Sequence, residues 1–184
     1  MNFKQKLIAI DACDDAIAWV GDRDLPAAWN ECERGDWMIW LASRSGVDLR
    51  TLTAAKAACA EYARPYMKDE RSIAALDAAH AFGRGEMSEG ELSASADAAY
   101  AAAYAYFAYD AAYAAAYAAA DAYFAADAAY AADAAYAAAY AASDAADAAS
   151  GYFDVYAAAK KRAETLRLCA DRIREHITAE MIKL

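Results

Sequence analysis

From Glu91 to Ser150 the chain contains neither proline nor glycine, and its alanines are interrupted mainly by tyrosine and aspartate. Alanine has the highest helix propensity of any residue. Residues that favour strands are scarce, and the only valines are Val20, Val47 and Val155. A chain with this stretch at its centre is restricted to packed helices. The expected fold class is all-α, a multi-helix bundle with short N-terminal helices and long Ala/Tyr/Asp-rich C-terminal helices.

As one unbroken helix the alanine-rich segment would span ~90 Å at about 1.5 Å per residue. A compact domain of 184 residues has a radius of gyration of only ~16 Å. The tyrosines also change phase. Tyr100 and Tyr104, then Tyr109, Tyr113 and Tyr117, then Tyr136 and Tyr140 are spaced by four, but the register slips at Tyr106, Tyr123 and Tyr130. Two antiparallel helices are therefore expected, broken within 119–128. No heptad of large aliphatic residues is sustained, which argues against a coiled-coil zipper. The absence of threonine from the array argues against an ice-binding face.

Residues 3–20 read as one helix on Leu7, Ile10, Ile17 and Val20, stopped by Gly21. Pro26 suits the first turn of a second helix that carries Trp29 and Cys32 and stops near Gly35. Asp36 is the expected N-cap of a third, closed by Gly46. Asp48 caps a fourth that runs toward Tyr62 until Pro65, and Asp69 caps a fifth that Gly83 and Gly85 end. Ser88-x-x-Glu91 is a capping-box signature. After Gly151 a last helix is expected from Tyr152 to about Ile182, with Leu166, Cys169, Ile173 and Ile177 inward. The expected organisation is a single domain over 1–184, with a Trp/Arg-rich module at 1–85, acidic Ala/Tyr-rich helices at 86–150 and a C-terminal helix at 152–182.

The net charge of −10 is polarised along the chain. From Gly85 to Ala159 there is no lysine or arginine, and the same stretch holds eleven acids. Removing those eleven from the 28 acids leaves 17, against 18 basic residues, so the remainder is near neutral. Coulomb repulsion disfavours direct nucleic-acid binding by the acidic half. Asp11, Asp14 and Asp15 interrupt the first apolar run, which excludes a secretory core. No segment approaches the ~18 uncharged apolar residues of a membrane span. Cys13, Cys32, Cys59 and Cys169 contain no CxxC pair and read as reduced thiols. The expected location is the cytoplasm.

Motifs for catalysis are thin. The only histidines are His80 and His176, and no Walker, GxSxG, GxGxxG or metal-spaced set occurs. No catalytic residue, metal or cofactor is assigned, and the chain is expected not to be an enzyme. Two surfaces stand out for binding. Asp110, Asp121, Asp127 and Asp133, with Tyr113, Tyr117 and Tyr130, offer acidic, aromatic helices to a protein partner. All four tryptophans lie between Trp19 and Trp40, among and ahead of several arginines. Trp29, Arg34, Asp36, Trp37, Arg50, Arg64 and Arg71 are the candidate pocket for a nucleotide-like anionic ligand, because guanidinium forks read phosphate and indoles stack on flat rings. The competing reading makes the tryptophans core anchors and pairs the arginines with Glu31, Asp36, Asp48 and Asp69.

The run Trp29-Asn-Glu-Cys32-Glu-Arg34-Gly-Asp36-Trp37-Met-Ile-Trp-Leu41, then Gly46-Val-Asp48-Leu-Arg50-x-Leu52, Cys59-Ala60 and Arg64-Pro65-Tyr66, resembles a family of alanine-rich, α-helical immunity proteins of bacteria and phage. The resemblance covers about residues 25–180. It implies an inhibitor that neutralises a toxin or defence effector by binding it, and the alternative is a phage anti-defence protein that sequesters the anionic signal. This chain departs from the family in how heavily tyrosine and aspartate fill the array. A homodimer is the expected oligomer, built on exposed tyrosine and alanine faces.

Overall fold

The computed structural model describes residues 1–67, 69–105 and 155–184. Among these, eight α-helices and two 3₁₀ turns form an all-α fold with no strand. The helices are α1 (Phe3–Ala9), α2 (Asp14–Val20), α3 (Leu25–Glu31), α4 (Gly35–Arg44), α5 (Leu49–Ala60), α6 (Glu70–Gly83), α7 (Glu89–Ala105) and α8 (Val155–His176). A 3₁₀ turn, Glu61–Tyr66, follows α5 and contains Pro65. A second, Ala179–Met181, follows α8. No helix among the described residues is long and apolar enough to cross a membrane.

The segment expected to be one helix over 3–20 is two. Asp11 adopts φ 60°, and its N–H donates to the Ile8 carbonyl while Ala12 N–H donates to the Leu7 carbonyl. This is a left-handed helix stop of the kind glycine commonly makes, and aspartate is among the few side chains that tolerate it. The same pair of bonds closes α6 at Gly85, φ 80°, as its glycine suggests. Asp36 is a second correction: Arg34 is the N-cap of α4 and makes no side-chain cap bond, while Asp36 lies inside the first turn. The last helix ends at His176, short of Ile182. Asp48, Asp69 and the Ser88/Glu91 box cap as expected. α7 shows the alanine array entering as helix. Its expected break at 119–128, and the antiparallel pair on either side, lie outside the described residues.

α5 organises the packing because it is buried nearly all round, Lys56 included. Leu52, Thr53 and every residue from Ala55 to Ala60 are buried. Leu52, Ala55 and Cys59 belong to a core shared with α1–α4 and α8, including Val20, Trp29, Ile39 and Ile173. Ala57 and Ala60 belong to a second core with α6 and α7, built on Leu76, Phe82 and Leu92. Small side chains permit the close approaches. A methyl group placed on Gly83 would stand 2.8 Å from Ala54 Cβ, so α5 and α6 meet almost backbone to backbone.

A charged lattice fastens the end of α5 to α6. Glu61 accepts from Arg64 Nε at 2.8 Å and Nη2 at 3.0 Å, and lies 2.8 Å from His80 Nε2. Arg64 also reaches Asp77 at 2.5 Å. Partial burial opposes ionisation of Glu61, but the Arg64 and His80 bonds outweigh it and hold its carboxyl below the ordinary value of 4.5. A carboxyl lowered in the folded state contributes stability above its unfolded pKa and loses it as pH falls through the folded value. Glu61→Gln is therefore expected to be less stable at neutral pH, by no more than about 1 kcal/mol because these groups are about one-third exposed. The deficit should shrink below pH 4.5. Denaturation midpoints at pH 7 and in acid would check this, and a deficit that grows in acid would refute it.

Candidate functional site

Three indoles carry guanidinium groups on short local spacing. Arg23 stacks 4.8 Å from the Trp19 ring centroid, Arg34 4.3 Å from Trp37 and Arg44 5.7 Å from Trp40. In sequence these pairs are four, three and four apart, the separations that share a helix face or bridge its first turn. Trp19 on α2 and Trp37 on α4 then meet edge to face, with centroids 6.2 Å apart and planes at 61°.

Two concavities flank that tryptophan pair. On one side a cavity of about 280 Å³ lies among α1–α4, with Trp29 and Trp40 in its lining. On the other, a groove of about 550 Å³ runs from Arg23, Glu31, Glu33 and Arg34 across to Arg162, Ala163 and Leu166 on α8. Trp19 and Trp37 line both, whereas Arg23 and Arg34 line only the groove. The indole pair is thus a partition, mostly apolar on one side and charged on the other.

The groove's cations are balanced by acids. Arg23 Nε bonds Glu31 at 2.7 Å and Arg23 Nη1 bonds the Trp19 carbonyl at 2.7 Å. Arg34 grips Asp36 with two bonds, 2.8 and 2.5 Å, and Asp36 is 7% exposed. A buried carboxylate with a two-pronged partner, in the positive first turn of a helix, is well supported. With Arg162 the groove has three guanidinium groups, against Glu31 and Glu33 in its lining and Asp36, which lines the cavity but holds Arg34.

The remaining pocket candidates are dispersed. Trp29 is a core anchor, 3% exposed, and its Nε1–H donates to the Ile177 carbonyl at 3.2 Å. Arg50 reaches from α5 to the end of α6, donating to the Phe82 carbonyl at 2.6 Å and stacking 4.4 Å from the Phe82 ring. Arg64 serves the Glu61 lattice, and Arg71 pairs with Asp69 at 2.8 Å. Only Arg34 and Trp37, with the neighbouring Asp36, keep company with the groove. Of the acids expected to pair with arginine, Glu31, Asp36 and Asp69 do so. Asp48 instead binds the Thr51 hydroxyl at 2.7 Å and its N–H at 3.1 Å, and those two bonds lower its pKa. The partner-binding candidates Asp110, Tyr113, Tyr117, Asp121, Asp127, Tyr130 and Asp133 lie outside the described residues.

Sequence reasoning missed Arg162 and Arg174. Arg174 donates to the carbonyls of Trp29, at 3.1 Å, and of Cys32, satisfying the end of α3 from α8. Only the return of α8 beside α3 and α4 brings them there, so no local spacing signals it. Among the described residues no group of three or more potential metal ligands gathers. His176 is partly buried, which lowers its pKa and favours the neutral ring. Comparison with family models, with curated protein sequences and with solved structures gives no match.

Proposed function

We propose that this protein is a stoichiometric, non-enzymatic binding protein of the immunity or counter-defence type. In this reading its acidic, tyrosine-bearing segment covers a basic surface on a toxin or defence effector. The observation that carries it is where charge is left over. Arg23, Arg34, Arg64 and Arg71 each hold a carboxylate outside that segment. The residues outside 85–159 are near neutral by count, so the net charge of −10 resides in the lysine- and arginine-free stretch. Single-sign charge of this magnitude steers oppositely charged partners and raises association rates by about 10–1,000-fold at low salt.

The rival occupant, an anionic nucleotide-like signal, needs a site with cationic surplus. In the groove beside Trp19 and Trp37, guanidinium faces are covered by indoles and carboxylates balance the charge. A phosphate entering there must displace an internal partner, which favours the protein-binding reading.

The test uses an effector captured from the native host and then purified. Asp121→Asn, Asp127→Asn and Asp133→Asn combined are expected to slow association several-fold at low salt, with the difference fading as the screening length contracts to about 8 Å near 0.15 M salt. Rates and salt slopes identical to those of the unaltered protein would mean that this segment is not the contact surface.

A further inference from the structure

We propose that the cavity enclosed by α1–α4 is a binding site for a neutral, two-ring aromatic small molecule. This assignment is independent of the acidic segment and its partner. The volume, about 280 Å³, is nearly twice the roughly 150 Å³ of an apolar cavity that accepts benzene, and close to the lower limit of about 300 Å³ for ordinary ligand pockets. Val20, Trp29 and Met38 close its inner end, each at most 3% exposed. Exposed Asp11 and Cys13 mark its mouth. The mouth owes its form to the left-handed stop at Asp11, which ends α1 and turns the chain into α2 around the opening.

Charge determines the class of occupant. Four indoles line the cavity, and two of them, Trp19 and Trp37, carry Arg23 and Arg34, each of which is held by a carboxylate. A cation would leave water for a lining whose one buried carboxylate, Asp36, is already taken by Arg34. An anion would find no cationic side chain in the lining and would pass the Asp11 carboxylate at the mouth. A neutral ring system stacks on the same indoles without either penalty, and an N–H or O–H at its outer end has the Asp11 carboxylate as acceptor.

The probe is N-phenyl-1-naphthylamine, a neutral fluorescent amine, titrated into the full chain. The expected result is saturable binding of one equivalent, read as quenching of tryptophan emission with sensitised probe emission. Cys13 is the exposed thiol, and Cys32, Cys59 and Cys169 are buried. Alkylation of Cys13 should therefore slow in proportion to the occupied fraction, a readout that needs no variant. Ala16→Phe places a ring at the half-buried lining position on α2, and should weaken binding by at least about tenfold while melting is retained. Anilinonaphthalene sulfonate and a naphthyl trimethylammonium ion should bind more weakly than the neutral probe. Absence of saturable binding, several equivalents bound, unprotected Cys13, or tighter binding of either charged probe would overturn the proposal.

Discussion

Truncating Trp29 to alanine is expected to lower the unfolding free energy by about 3–5 kcal/mol. That is a large share of the roughly 5–15 kcal/mol that keeps a domain folded. The size follows from what the indole joins. It is 3% exposed inside the core shared by α1–α5 and α8. Its Nε1–H holds the Ile177 carbonyl just beyond α8, while its own carbonyl and that of Cys32 accept from Arg174. Alanine would open a void and leave the Ile177 acceptor without this donor. Trp29→Phe retains most of the ring and loses the bond, so its cost should fall nearer the 1–3 kcal/mol of an unsatisfied buried group. Trp37 is half-buried, and Trp37→Ala should cost less than Trp29→Ala. Denaturant unfolding of the three variants gives the order directly. A Trp37→Ala cost equal to or above that of Trp29→Ala would refute the assignment of Trp29 as the anchor.

What could be read from sequence was what depends on near neighbours. Asp48, Asp69 and the Ser88/Glu91 box declared helix starts because a cap acts over three residues. The Arg–Trp stacks follow from separations of three or four, and the pairing of Arg23 with Glu31 and of Arg34 with Asp36 is the competing reading the sequence offers beside a ligand pocket. Asp11 reads as part of a continuous helix because aspartate at a left-handed stop is uncommon, and the apolar spacing continues across it in phase. Asp36 was misread because a good capping residue is also a good first-turn residue, and only the Arg34 fork and burial by neighbouring helices separate the two. The cavity arises where α1–α4 converge and the groove where α8 joins them, by contacts between helices that no periodicity within one helix reports.

Glycine substitutions at two helical positions should move stability in opposite directions. In a helix, exchanging glycine for alanine ordinarily gains about 0.5–1 kcal/mol by removing backbone freedom from the unfolded chain. Gly90, exposed at the start of α7 with nothing within 4 Å of an added methyl, should show that gain. Gly35 should not. A methyl there would stand 2.7 Å from Cys169 Cβ and 3.0 Å from both the Ala170 nitrogen and the Leu166 carbonyl oxygen. Two of those three atoms are α8 backbone, which cannot rotate aside, so α4 and α8 must part. Overpacking of this kind costs about 1–3 kcal/mol, enough to exceed the propensity gain. The displacement would also move Asp36, the next residue, and with it the Arg34 fork that lies over Trp37. Gly35→Ala should accordingly lower the melting temperature and disturb the near-ultraviolet signal of the tryptophans, whereas Gly90→Ala should raise the first and leave the second unchanged. If Gly35→Ala proved as stabilising as Gly90→Ala, the close approach of α4 to α8, on which the groove depends, would be wrong.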